Sequence, residues 1–312
     1  MGPLDNLGGP AAQIASRFAS APILPCGEDR GPEATAGGCK EAQTRLRGEE
    51  MQSLNAVLEV YPWEFVAVFQ FLVLTIALAL PLHAREQVTL TASDGVKVFA
   101  DFYPADSKSR PYILLFHQAG SNRAEYAPIA PRLVKLGFNC LAIDQRSGGD
   151  LWGQQNETVR RLGHSAEYPD ALKDLEAALA WARSSGGDGK VLVWGSSYSA
   201  ALGFVLAAEH REEVAGVLSF SPNEYLGGSD VVHHAAASVS VPIFVTSAKD
   251  PEEIAGAKSI LASSPAKVKM QFVPRIAGVH GSSTLRADRN PAGESENWKA
   301  VEEFLTNFSR RE

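Results

Sequence analysis

From Arg85 onward, short apolar runs alternate with stretches of helical period, and this alternation limits the fold more than any other feature of the chain. Tyr112–His117 (YILLFH), Asn139–Asp144, Lys190–Trp194, Val214–Phe220, Ile243–Ser247 and Val268–Val273 read as strands. Ala127–Leu136, Tyr168–Arg183, Ser199–His210, Glu252–Ser263 and Trp298–Phe308 read as helices. Strands separated by helices of about ten residues or more pair in parallel, because a parallel crossover needs that length of chain. Ahead of them, VTLTAS and VKVFADFY flank Asp94-Gly95, a strong hairpin signal. The expected class is α/β, with a mostly parallel central sheet, an N-terminal antiparallel hairpin and helices on both faces.

The remainder of the chain divides in two. Residues 1–50 are rich in Gly, Pro and Ala and show no sustained apolar period, so they read as a disordered extension. Met51 is an alternative start. Residues 51–84 contain the longest apolar run, Phe65–Leu82, broken only by Gln70 and Thr75. Its length is about 27 Å as a helix, near that of a bilayer core. The readings are an export signal cleaved near Ala84, a retained membrane anchor through residues 65–82, or a buried helix. The first two place residues 85–312 outside the cytoplasm. Against a signal, no Lys or Arg lies between Met51 and Phe65.

A formal net charge of −7 argues against nucleic-acid binding, which depends on Lys and Arg meeting phosphate. The three cysteines form no CxxC pair, so neither a zinc knuckle nor a dithiol redox site is expected. No GxGxxG follows the first parallel strand, which argues against a dinucleotide site.

The strand KVLVW runs into Gly195-Ser196-Ser197-Tyr198-Ser199 and then an apolar helix. A serine at the apex of a strand–turn–helix, with small residues two places on either side, is the nucleophile-elbow pattern, here ending in serine instead of glycine. Ser197 is the candidate nucleophile. Ser196 is the rival register, but Trp194 stands two places before it. The alternative is that these are loop and helix-capping serines.

A serine nucleophile needs a proton acceptor tuned near neutrality, hence a histidine. Of seven, His280 follows the last strand between glycines, in GVHG. His233 and His234 are rivals, and His210 reads as structural at a helix end. The acid behind the base is placed at Asp250, in SAKDPEE after a strand, although Asp250 ahead of Pro251 also suits a helix cap. Glu252 and Glu253 are alternatives, expected to point along the helix. The oxyanion donors are expected to be the amides of Tyr198 and Gln118. All these positions lie at the C-terminal ends of strands, where open α/β sheets bind ligands.

The segments LLFHQAGSN, AIDQRSGG (142–149), YPDALKDLEAALAW, VWGSSYSA, TSAKDPE and GVHG resemble the α/β-hydrolase superfamily, and within it the branch similar to dienelactone hydrolases. The resemblance covers about Val88 to Phe308. It implies the α/β-hydrolase fold, a serine or cysteine nucleophile, no metal and no cofactor. Dienelactone hydrolases proper carry cysteine at the elbow, where this chain has Ser197. Many members of the superfamily carry a helical lid; here Ser221 to Val241 leave room for a minimal lid or none. The expected function is hydrolysis of small or medium carboxylic esters. A peptidase or amidase on the same triad is the alternative enzyme, and a dead hydrolase scaffold used for binding is the alternative outside catalysis.

Overall fold

The computed structural model describes residues 85–186 and 190–310. The apolar run Phe65–Leu82, with the extension before it, lies outside the described residues. No described helix is long and apolar enough to cross a membrane.

The described residues form eight strands: β1 (Glu86–Thr91), β2 (Lys97–Tyr103), β3 (Tyr112–Phe116), β4 (Asn139–Ile143), β5 (Val191–Ser196), β6 (Val214–Phe220), β7 (Ile243–Thr246) and β8 (Lys269–Phe272). They form one sheet in the order β1-β2-β4-β3-β5-β6-β7-β8. β1 pairs antiparallel with β2, and β2 with β4. Every later pairing is parallel. The helices are α1 (Ala130–Lys135), α2 (Glu157–Leu162), α3 (Leu172–Ser184), α4 (Tyr198–Glu209), α5 (Val231–Ala236), α6 (Pro251–Ser263) and α7 (Glu294–Ser309).

Side chains alternate across a strand, so each buried strand feeds two cores. In β3, Tyr112, Leu114 and Phe116 join one core with residues of α3, α4, α5 and α6. Ile113 and Leu115 face the other core, built with α1 and α7 through Leu133, Trp298, Val301 and Phe304. Val193 and Trp194 of β5 divide in the same way. Coverage on both faces explains why these strands read as unbroken apolar runs.

The hairpin turn is held to the sheet by charge. Arg146 after β4 is buried and bonds Asp94 in the turn (2.6 and 3.0 Å) and Asp174 on α3 (2.7 and 3.0 Å). The Arg146 guanidinium holds the Asp94 carboxyl well below its usual range.

Two expected helices are shorter than the pattern suggested. Arg123–Tyr126 is a 3₁₀ turn ahead of α1, and Tyr168–Ala171 is another ahead of α3. α2 was not anticipated, although both its ends carry signals. The Asn156 side chain accepts the Val159 N–H, and Gly163 closes the helix with φ 87°. Between Phe220 and Ile243 the only helix is the six-residue α5, so among the described residues no lid covers the C-terminal edge of the sheet.

Candidate active site

Ser197 caps the first turn of α4 with φ 61° and ψ −122°, a conformation that side-chain-bearing residues seldom hold. Its N–H donates to the Phe220 carbonyl at 2.8 Å, which fixes the turn against β6. The turn also requires glycine two places earlier. A Cβ on Gly195 would stand 2.2 Å from the Ser199 carbonyl oxygen and 2.5 Å from the Ala200 nitrogen. Both are backbone atoms of the helix that follows, so neither can move aside. Gly195→Ala is therefore expected to destabilise the protein by about 3 kcal/mol, the upper range for overpacking, read as a fall in melting temperature.

At the other flank, Ser199 has a use that glycine could not serve. Its hydroxyl donates to the His117 carbonyl at 2.6 Å and accepts from Gln145 Nε2 at 2.7 Å. The departure from the usual motif thus ties the nucleophile's helix to the end of β3.

His280 follows β8 and precedes a 3₁₀ turn, Gly281–Leu285. Its loop is bound to the elbow. The Ser282 N–H donates to Ser196 Oγ at 2.8 Å, and the Gly281 N–H donates to Ser221 Oγ at 2.9 Å. Gly281 has φ 67°, and a Cβ there would lie 2.4 Å from Ser196 Oγ. Glycine after the histidine is what lets the two loops touch. Ser196, the rival nucleophile, is consumed as a structural link between them. His280 and Ser197 make no direct hydrogen bond among the described residues, a common condition in hydrolase sites without substrate.

The carboxylate that faces His280 differs from the one the sequence reading chose. Asp250 does not face His280. Its Oδ1 accepts the N–H groups of Glu252 (2.9 Å) and Glu253 (3.1 Å), making it the N-cap of α6. The carboxylate against the imidazole is that of Glu253, with 2.8 Å from His280 Nδ1 to Glu253 Oε1. Its second oxygen accepts the Ala248 N–H at 3.0 Å. Helical side chains lean toward the N-terminus of their helix, so a glutamate in the first turn reaches back over the loop instead of forward along the helix. Burial alone would raise the Glu253 carboxyl. Hydrogen bonds from His280 and Ser221, the His280 charge and the Ala248 amide outweigh it and hold the group below its usual range. The rival histidines are elsewhere. His233 lies between Glu224 (2.7 Å) and Ser259 (2.9 Å), and His234 is exposed.

The free amide after β3 lies one residue beyond the expected Gln118. The Gln118 N–H is committed to Glu125 Oε2 at 3.0 Å. The next peptide is set by His117, which is fully buried. The Gln145 N–H donates to His117 Nε2 at 3.0 Å, so the ring proton sits on Nδ1 and is donated to the Gln118 carbonyl at 2.9 Å. Burial lowers the His117 pKa to about 4, which keeps the ring neutral. In a planar trans peptide the C=O and N–H point opposite ways, so a carbonyl held by His117 turns the Ala119 N–H outward. That N–H has no acceptor among the described residues. Tyr198, the other expected donor, is the first residue of α4, where N–H groups have no intrahelical acceptor, and no side chain caps them.

A cleft of about 510 Å³ opens beside these loops, lined by Gln118, Val279, His280, Ser283, Asp288 and Arg289. Its size suits a small ligand. One group among the described residues has metal-ligand spacing, Glu176, Glu209 and His210, but His210 already pairs with Glu213 at 2.9 Å.

Comparison with known proteins agrees with this architecture. Residues 107–248 match the family model described as serine aminopeptidase, S33. No curated protein matches the chain. Among similar solved structures, an esterase from Pyrococcus furiosus is 20% identical, with TM-score 0.54 over 72% of this chain and 91% of its own. A dienelactone hydrolase from Anabaena variabilis is 19% identical, with TM-score 0.56 over 72% and 97%. A thermostable carboxyl esterase from Bacillus coagulans is 14% identical, with TM-score 0.56 over 72% and 99%. At such identities the likeness establishes a shared fold, the one the sequence segments resembled.

Proposed function

We propose, from the α/β-hydrolase fold as premise, that this chain is a serine hydrolase cleaving carboxylic esters of small or medium size through an acyl-enzyme. The observation that carries the proposal is the pairing of His280 Nδ1 with Glu253 on loops bonded to a strained serine turn. That pairing leaves Nε2 of His280 as the face for a proton. Ser197 Oγ attacks the substrate carbonyl while its proton passes to Nε2. The negative oxygen that forms is met by the amides of Tyr198 and Ala119. The tetrahedral species collapses, the leaving alkoxide takes the proton from His280, and an ester on Ser197 remains. Water then repeats the sequence, with His280 as base, and releases the acid. Glu253 holds the ring in the tautomer this requires and stabilises the imidazolium.

The test uses the unaltered protein. A fluorophosphonate probe should form one adduct, located on Ser197 by peptide mass spectrometry. No adduct, or an adduct on another serine, rejects the proposal. Because no lid supplies an apolar tunnel, short acyl chains should be preferred in a nitrophenyl-ester series, with kcat/KM falling beyond about six carbons as the chain outgrows the cleft. Rates that climb toward long chains would contradict the open-site reading.

The match to a serine aminopeptidase model favours one second reading, hydrolysis of a peptide or amide bond by the same residues. Relative kcat/KM on paired esters and amides of one acyl group decides between them.

A further inference from the structure

Glu125 lies in the 3₁₀ turn after β3 and is completely buried. A buried carboxylate is expensive to maintain, so its partners should account for it. It has three. Its Oε2 accepts the Gln118 N–H (3.0 Å) and the Ser121 hydroxyl (3.0 Å), and its Oε1 accepts the Ser196 hydroxyl (2.8 Å).

The direction of these bonds is set from outside. Gln118 offers a backbone N–H, which can only donate. Ser121 Oγ accepts the indole N–H of Trp152 at 2.8 Å, and Ser196 Oγ accepts the Ser282 N–H at 2.8 Å. An indole and an amide are obligatory donors, so both hydroxyls have their protons free for Glu125. Three donors converge on one side chain, and an ionised carboxylate is the group that accepts them all. Burial raises the Glu125 carboxyl above its usual range, and the Gln118 amide, both serine hydroxyls and the nearby Arg286 charge reduce that rise without reversing it.

The groups that this carboxylate joins come from different parts of the site. Gln118 precedes the oxyanion amide of Ala119, Ser196 precedes the nucleophile, and Ser282, linked to Glu125 through the Ser196 hydroxyl, follows the base by two residues. We infer that Glu125 is a positioning residue of the reaction proposed above, a buried anion that sets the distance between the oxyanion loop, the nucleophile and the histidine loop. It touches no substrate and exchanges no proton. Its contribution is geometric, and misplacement of reacting groups by about 1 Å lowers rates by about a hundredfold.

The experiment compares Glu125→Gln and Glu125→Ala in the full chain. Glutamine keeps the shape and the acceptor for Gln118 but turns one donor toward Ser196; alanine removes every link. Active sites are titrated with a fluorophosphonate, and kcat is expressed per titrated site on a short nitrophenyl ester. Per-site kcat should fall about tenfold in the glutamine variant and about a hundredfold in the alanine variant, with KM little changed. Amide exchange at Ser282 should accelerate in both, and at Gln118 in the alanine variant. A purely structural role would lower the melting temperature and the number of titratable sites, yet leave the kcat of each surviving site intact. Per-site kcat equal to that of the unaltered protein in the glutamine variant overturns the inference and leaves the hydrolase reading standing. Should the alanine variant fail to accumulate, the glutamine variant decides alone. If the unaltered protein takes no label on Ser197, the hydrolase reading fails and this inference falls with it.

Discussion

Replacing Ser197 with alanine is expected to lower kcat for ester hydrolysis about a millionfold, to the level left by binding and the oxyanion amides. The reason is local. The serine oxygen is the only atom lost, while the Cβ stays in the strained turn with φ 61° and the backbone bond to Phe220 is untouched. Folding should therefore be preserved, with the same circular dichroism spectrum and a melting temperature close to that of the parent. Probe labelling should vanish with activity. The neighbouring Ser196 provides the control. Its oxygen is already held by Glu125 and by the Ser282 amide, so it is not free to substitute for the lost nucleophile. Ester hydrolysis that survives the Ser197 change at more than a small fraction of the parental rate would refute the assignment.

The second large effect separates two acids three residues apart. Glu253→Ala should reduce kcat about ten-thousandfold, the usual order for removing the acid of such a triad. It strands His280 Nδ1, the Ala248 amide and the Ser221 hydroxyl, the donors that its oxygens now accept. Asp250→Ala should leave kcat nearly unchanged and lower stability by about 1 kcal/mol, the ordinary loss of an N-cap. The two variants, assayed side by side for kcat and for melting temperature, should show opposite patterns. If the Asp250 change is the one that silences the protein while the Glu253 variant remains active, the geometry around His280 has been misread.

That contrast shows where sequence reasoning reaches its limit. The sheet was legible because buried strands leave unbroken apolar runs and crossovers leave helical ones. β6 begins and ends where the apolar pattern does. The elbow was legible because steric demand restricts residue type, as Gly195 shows. The carboxylate that faces His280 was not, because Asp250, Glu252 and Glu253 share one segment and linear order does not say which way a first-turn side chain leans. The backward tilt of helical side chains was the available signal, and it favours Glu253. The free amide after β3 lies one residue beyond the expected Gln118 for a different reason. Which peptide turns its N–H outward is decided by His117 and Gln145, 28 positions apart, and only the folded chain brings them together. Glu125 had no sequence signature at all, since a glutamate in a polar loop reads as solvated until burial is known.

Holding the carboxylate that faces His280 on a helix instead of a free loop has a mechanical consequence. Glu253 is rigidly attached to α6, whose inner face is anchored by Ala257 and Ile260 in the sheet's core. A rod seated on that bed carries its first turn with it, so the imidazole's aim is tied to how that rod is seated. Substitutions on the underside of the helix, out of reach of any ligand, would then be felt first as a change in turnover and only later as a loss of structure.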